Sequence, residues 1–334
     1  MTHRFSRRQI LTSTGALSAT LAMPRIGRAA GEWKPTETVR IIVPASAGGS
    51  TDVMGRLLAA YLQPVWGQSV VVENRSGGGG TIGAAEVARL KGDGHTILIG
   101  NPGPNAIAYS IFKNLTYKPE QLFPVSNMIR IPNIVCAHPS VPIKTIPELI
   151  AYIKANPDKL NYGSSGVGQS PHLTGAWWLQ LTGLKMQHVP FRGAGPALQA
   201  ALAGDIQILF DNLYPSLPQV LDGKLNALAV TTQQRNSQAP NVPAMRETAP
   251  ELASFDVSSW FGVFYPRGTP PEAVTALNQQ IKALLAKDET KRTTMAMGAT
   301  QDYGTPEQYA AFVTAETAKF KGIIEKEGLQ MDVK

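Results

Sequence analysis

Strand-loop-helix alternation runs through almost the whole chain, and it limits the folds available. Residues 39–44 (Val-Arg-Ile-Ile-Val-Pro) are a β-branched run. They lead through the loop 45–50 to a helix over 53–62, where Val53, Leu57, Leu58, Tyr61 and Leu62 share a face. Residues 69–73 predict a second strand, 77–80 a loop, 81–90 a helix and 96–100 a third strand. Parallel neighbours need a crossover long enough to hold a helix, so this pattern predicts a mostly parallel sheet covered by helices.

A second series begins with a strand near Ile134. Helices are expected over 147–156, 173–181 and 196–203, and strands over 160–163, 186–190, 206–210 and 225–230. Pro147 suits a first helical turn, and Asn156-Pro157 stops that helix. Residues 233–250 form a surface connection rich in Gln, Asn, Pro and Ala. A strong strand over 260–264 and helices over 272–287 and 306–326 close the chain, and no internal repeat is visible. Two α/β series with a returning C-terminal segment predict two lobes, with crossings near 130–134 and 254–259. Ligands of such folds sit at the carboxyl ends of the strands, in the crevice between lobes.

The first thirty residues stand apart. Arg4, Arg7 and Arg8 precede an apolar run from Ile10 to Met23 and the small pair Ala29-Ala30. A basic start, a short greasy middle and a small-residue exit make an export signal, too short and mild to span a bilayer. Arg7-Arg8 followed by Gln-Ile-Leu resembles a bacterial twin-arginine signal. The expectation is a periplasmic protein cleaved near Ala29-Ala30. Residues 1–30 carry five Arg and no acid, which leaves 26 basic and 24 acidic side chains beyond them, a net charge of +2. No dense basic stripe remains to suggest nucleic acid.

Cys136 is the only cysteine, so no internal disulfide can form, and its apolar surroundings (Ile134, Val135, Ala137) predict a buried strand residue. His95, His138, His172 and His188 share no i, i+4 spacing, so neither a metal site nor a cofactor is expected.

The loops after the strands are rich in Gly, Ser, Thr and Asn and poor in charge. Residues 44–52 contain Ala47, Gly48, Gly49, Thr51 and Asp52, and residues 100–105 contain Asn101. Residues 163–170 contain Ser164, Ser165 and Gly168, and residues 191–196 contain Arg192, Gly193 and Gly195. Unpaired N–H groups at helix starts, approached through glycine, suit an anion, most simply a carboxylate. Gly78 to Gly83 matches G-x-G-x-x-G, but the next strand ends in Gly100-Asn101, without the acid a dinucleotide fold needs there. Gly163-Ser164-Ser165-Gly166 misses the hydrolase elbow G-x-S-x-G by one position, since residue 167 is Val.

Together these residues resemble the solute receptors of tripartite tricarboxylate transporters, the Bug family, from Val39 to the C-terminus. The resemblance rests on residues 39–44 with Ala47, Gly48, Gly49 and Asp52, on 67–74 with 77–83, and on 155–166 with His172. Residues 189–193 with Pro196-Ala197, and 260–262 with Pro266 and 268–270, complete it. It implies a two-lobed periplasmic-binding-protein fold of type II, a Venus flytrap. Lobe 1 would comprise 31–132 plus 257–334, and lobe 2 residues 133–256. It also implies no catalysis, a small organic acid in the inter-lobe cleft, and delivery by a monomer to the membrane subunits of the transporter. One carboxylate would be gripped by Ala47, Gly48, Gly49 and the Gly100-Asn101 segment. Specificity would come from Ser164, Ser165, Arg192, Gly193, Gly195 and Asp211. Ala45-Ser46, Gln199 and 101–103 depart from the family pattern and leave the identity of the acid open. The alternatives are a secreted serine hydrolase using Ser164 or Ser165, and a receptor feeding a signalling partner.

Overall fold

A computed structural model describes residues 33–332; the export signal over 1–30 lies outside the described residues. Strand β1 (Val39–Val43) is followed by α1 (Ser50–Trp66), β2 (Val70–Asn74), α2 (Thr81–Ala88), β3 (Thr96–Gly100) and the short α3 (Ala108–Ile111). The long strand β4 (Leu122–Ala137) then opens a second series: α4 (Ile146–Ala155), β5 (Asn161–Ser164), α5 (Ser170–Thr182), β6 (Gln187–Pro190) and α6 (Ala194–Ala203). That series continues with β7 (Ile208–Asn212), α7 (Leu213–Leu221) and β8 (Asn226–Val230). The chain ends with β9 (Ser258–Pro266), α8 (Pro271–Ala286), α9 (Asp288–Ala296), β10 (Thr300–Gln301) and α10 (Pro306–Glu327).

All ten strands of the described residues join in one sheet, in the order β2-β1-β3-β9-β4-β7-β5-β6, with β8 and β10 also paired to β4. The sheet is mixed, which corrects the expectation of a mostly parallel one. Between the named strands, parallel pairing is confined to β2-β1-β3 and to β7-β5-β6. Every antiparallel pairing involves β4 or β9. β4 lies against β9 as far as Pro132, and against β7 and β8 from Asn133 or Ile134 onward.

The period-2 alternation of the strands divides the interior into two cores, one on each face. Ile41, Ile97, Ile99, Ile134, Cys136 and Leu209 belong to one, packed with Met54, Leu58 and Leu62 of α1. Their chain neighbours Ile42, Leu98, Val135 and Phe210 belong to the other, with Val87 of α2 and Phe320 and Ile324 of α10. Sheets covered on both faces need apolar residues at successive positions, which is why these strands read as continuous greasy runs. Gly55 lets α1 settle onto β1, since a Cβ there would stand 2.6 Å from Val43 Cγ2.

The short α3 and β10 escaped the sequence reading, and so did three longer elements. The first half of β4 is interrupted by Pro124 and polar residues, and its pairing to β9 shifts register between Pro124 and Ser126. α7 carries Pro215 and Pro218, which read as turn signals. α9 is almost wholly polar and buries only Thr290 and Thr294.

Candidate functional site

Loops from the carboxyl ends of β1, β3, β5 and β6, with the loop after β2, enclose a cavity of about 670 Å³. Five helices begin at its wall: the N-cap residues of α1 (Gly49), α2 (Gly80), α5 (Gln169), α6 (Gly193) and α7 (Asn212) all line it. None of the five is closed by a side-chain cap. Of the helices that start elsewhere, α4 and α10 are capped by Thr145 and Thr305, whereas α3, α8 and α9 also lack a side-chain cap. Uncapped first turns present free N–H groups and the positive end of the helix dipole, so the cavity wall favours an anion. At α2, however, the preceding turn takes the Gly80 and Thr81 N–H groups.

Side-chain charge in the wall is sparse and balanced. Among the lining residues one is a strong base, Arg192, and one an acid, Asp332. The Arg192 guanidinium donates no hydrogen bond to, and forms no ion pair with, any described residue. Phe112, Phe191, Phe261 and Met331 supply apolar faces. Ser50, buried at the start of α1, has a hydroxyl without a partner.

The wall is braced from behind. Buried Asp52 accepts from Gly48 N (2.9 Å), Arg56 Nε (2.9 Å) and Asn74 Nδ2 (2.9 Å). Burial opposes ionisation of Asp52, yet these donors outweigh it and hold the carboxyl below its usual range. Asn74 also donates to Ala45 O, which ties the loop after β1 to the end of β2. Arg75 pairs with Glu73 and Glu86, both shared with Arg40, and anchors the glycine loop 77–80. Asn101 accepts from Gly103 N at 2.9 Å and turns the chain after β3.

Two imidazoles stack at the cavity, His172 on His188 with ring centroids 4.3 Å apart, and Tyr162 stacks on the far face of His188 at 4.7 Å. His172 Nδ1 accepts from Gly168 N at 3.2 Å, so the neutral ring carries its proton on Nε2. Burial drives His172 down to about 4, and burial together with the neighbouring His172 drives His188 to about 3. His188 Nε2 lies 2.7 Å from Ser164 Oγ. Among the described residues no carboxylate is bonded to either ring, so this serine-histidine contact lacks the acid of a triad.

Of the residues singled out from sequence, Gly49, Thr51, Asn101, Ser165, Arg192 and Gly193 line the cavity. The others stand outside its lining. Gly48 and Asp52 bond each other as braces, and the Gly48 N–H is consumed there. Ser164 is buried against His188, and Gly168 against Phe112 and His172. Ala47 and Gly195 face one another, Ala47 O standing 3.8 Å from the place of a Gly195 Cβ. Asp211 is wholly buried and accepts from Ser216 Oγ at 2.9 Å. Sequence reasoning missed Gln169, His188, Asn212 and Ser259 as lining residues. Gln169 sat inside the 163–170 loop, Ser259 at the expected crossing 254–259 and His188 three residues before the 191–193 loop, whereas Asn212 carried no local signal.

Comparison with known proteins agrees with this architecture. The family model described as tripartite tricarboxylate transporter family receptor matches residues 54–329. Protein BugT of Bordetella pertussis is 34% identical over 299 residues, 89% of this chain and 91% of that protein. An R. palustris protein solved with adipate superposes with a TM-score of 0.85 at 35% identity, covering 88% of this chain and 98% of the other. MatC of Rhodopseudomonas palustris, solved with bound malate, gives a TM-score of 0.81 at 31% identity, covering 87% and 99%.

Proposed function

The chain belongs to the tripartite tricarboxylate transporter family of receptors, solute-binding proteins rather than enzymes, and from that premise we propose that it binds a small organic carboxylate in the 670 Å³ cavity. The observation that carries this reading is the ring of five uncapped helix starts around a cavity with one unpaired cation, Arg192. A carboxylate is held there by backbone N–H groups of the α1 start with Thr51 and Asn101, and by Arg192 with the α6 start at Gly193. Apart from Arg192 these donors are neutral, which suits a receptor that must let go.

The lobes are 31–132 plus 257–334 and 133–256, a division supported by β4 leaving β9 after Pro132 and taking up β7 at Asn133. The protein is exported through its twin-arginine signal, cut near Ala29-Ala30, and works as a monomer that hands its ligand to membrane subunits. No described helix is long and apolar enough to cross a membrane. Adipate and malate, seen in two relatives, are the first ligands to try. The test is a thermal-shift screen against organic acids and their amides. An acid at ~100 times its dissociation constant adds ~2.7 kcal/mol. A shift with an acid that vanishes with its amide supports the reading. Shifts with neutral sugars or peptides alone would sink it.

A further inference from the structure

Gln169 occupies the N-cap of α5, a position where Ser, Thr, Asp or Asn would reach back to the first turn. Its side chain makes no such bond. It extends across the cavity to the opposite wall instead, where Nε2 donates to Gly79 O at 2.8 Å. The amide lies in a slot made by glycines. A Cβ at Gly103 would stand 2.7 Å from Gln169 Cδ and Nε2, and one at Gly80 would stand 3.2 Å from Nε2. Beside it the backbones themselves meet, since a Cβ on Gly79 (φ +63°) would lie 2.0 Å from Val167 O. Gly79, Gly80 and Gly103 lie before β4, whereas Val167 and Gln169 lie between β5 and α5, so one side chain joins the two halves of the cavity wall.

We propose that Gln169 is the latch residue of this receptor, a positioning group that holds the two lobes closed over the ligand by plugging its amide into the slot of Gly79, Gly80 and Gly103. The inference rests on the two-lobe reading given under Proposed function. A contact made only in the closed state adds to ligand affinity without touching the ligand, because closure and binding are linked. Gln169 is suited to this because its two extra carbon atoms, compared with a capping Ser, provide reach at the expense of the cap.

Three variants separate latching from folding. Gln169→Ala removes the amide. Gln169→Asn keeps the amide but shortens the arm, and Asn is a better N-cap than Gln, so α5 gains or keeps stability while closure weakens. Gly103→Ala acts from the other lobe, and what its methyl displaces is the movable end of Gln169. Adipate titrations by calorimetry on the purified protein are expected to give dissociation constants about 3- to 10-fold higher for all three, the worth of one hydrogen bond. Melting temperatures without adipate should stay level, or rise for Gln169→Asn. Small-angle scattering without adipate should show the variants more extended than wild type. Wild-type affinity in Gln169→Asn, or an affinity loss that follows a fall in melting temperature, overturns the latch. If wild type binds neither adipate nor malate, that result counts against the carboxylate reading. Scattering alone then decides the latch, and equal radii of gyration for wild type and Gln169→Ala overturn it.

Discussion

The side-chain amide of Asn212 donates to Asn133 Oδ1 across 2.7 Å, at the point where β4 changes partners from β9 to β7. Ser259 Oγ closes the triangle, accepting from Asn212 at 2.7 Å and donating to Asn133 Oδ1 at 3.0 Å. Asn133 Nδ2 donates in turn to Ser170 Oγ at 2.9 Å and Thr174 Oγ1 at 2.8 Å. One fully buried side chain therefore ties β4, β7, β9 and α5 together directly behind the cavity, which Asn212 and Ser259 line.

Asn133→Ala leaves several buried donors and acceptors unpaired at once. Each unsatisfied group costs about 1–3 kcal/mol, and a network fails together. The expected loss is about 3 kcal/mol or more by urea denaturation. A loss under about 1 kcal/mol would show that water replaces the amide without penalty.

Arg192→Gln should weaken acid binding about 10-fold or more, because the one unpaired cation at the cavity is removed. Its stability without ligand should stay within about 0.5 kcal/mol, since the guanidinium holds nothing else in place. Calorimetry with the acid found in the screen checks the first expectation and thermal melting the second.

Burial pushes the Asp211 carboxyl up to about 7, from an ordinary value near 3.8. Between those values the folded state keeps a proton that the unfolded chain releases, so stability falls as pH rises from about 4 to about 7. Asp211→Asn keeps an acceptor for Ser216 and removes the titration. At pH 8 it should be more stable than wild type, by up to about 4 kcal/mol. Parallel stability-pH curves for the two proteins would refute this.

The stacked imidazoles work in the opposite direction. His172 and His188 fold in the neutral form, so their contribution is complete above about pH 6.5 and declines as pH falls toward 4. The decline from His172 alone is about 3 kcal/mol by pH 4. NMR titration should find both rings neutral at pH 5.5. A ring that titrates near 6.5 in the folded protein would contradict the burial argument.

Much of the fold was legible one residue at a time. The β-branched runs at 39–44 and 96–100 and the caps and prolines around α4 are local signals, and local signals set local elements. The same is true of the uncapped loops. Glycine, serine and asparagine in the loops after β1, β3, β5 and β6 already favoured an anion, because the helix start that follows each loop is a property of its own few residues. Family membership was legible for a related reason, since the order and spacing of these loops survive in the chain itself.

Which of those residues reach the cavity was decided only in three dimensions. Asp52, in the first turn of α1, and Arg192, just before α6, are both charged, yet Asp52 is consumed by Gly48, Arg56 and Asn74 while Arg192 is without a partner among the described residues. The i, i+4 pairing of Asp52 with Arg56 is a local signal, but the contact with Asn74 comes from another strand and only the packed structure decides it. Gln169 looked like an ordinary polar residue before a helix, and its role depends on three glycines 66 to 90 positions earlier. The antiparallel course of β4 and β9 has the same origin. Strand propensity is set within a strand, whereas its direction beside a neighbour is set by where the chain re-enters the sheet, and only the packed tertiary structure determines that.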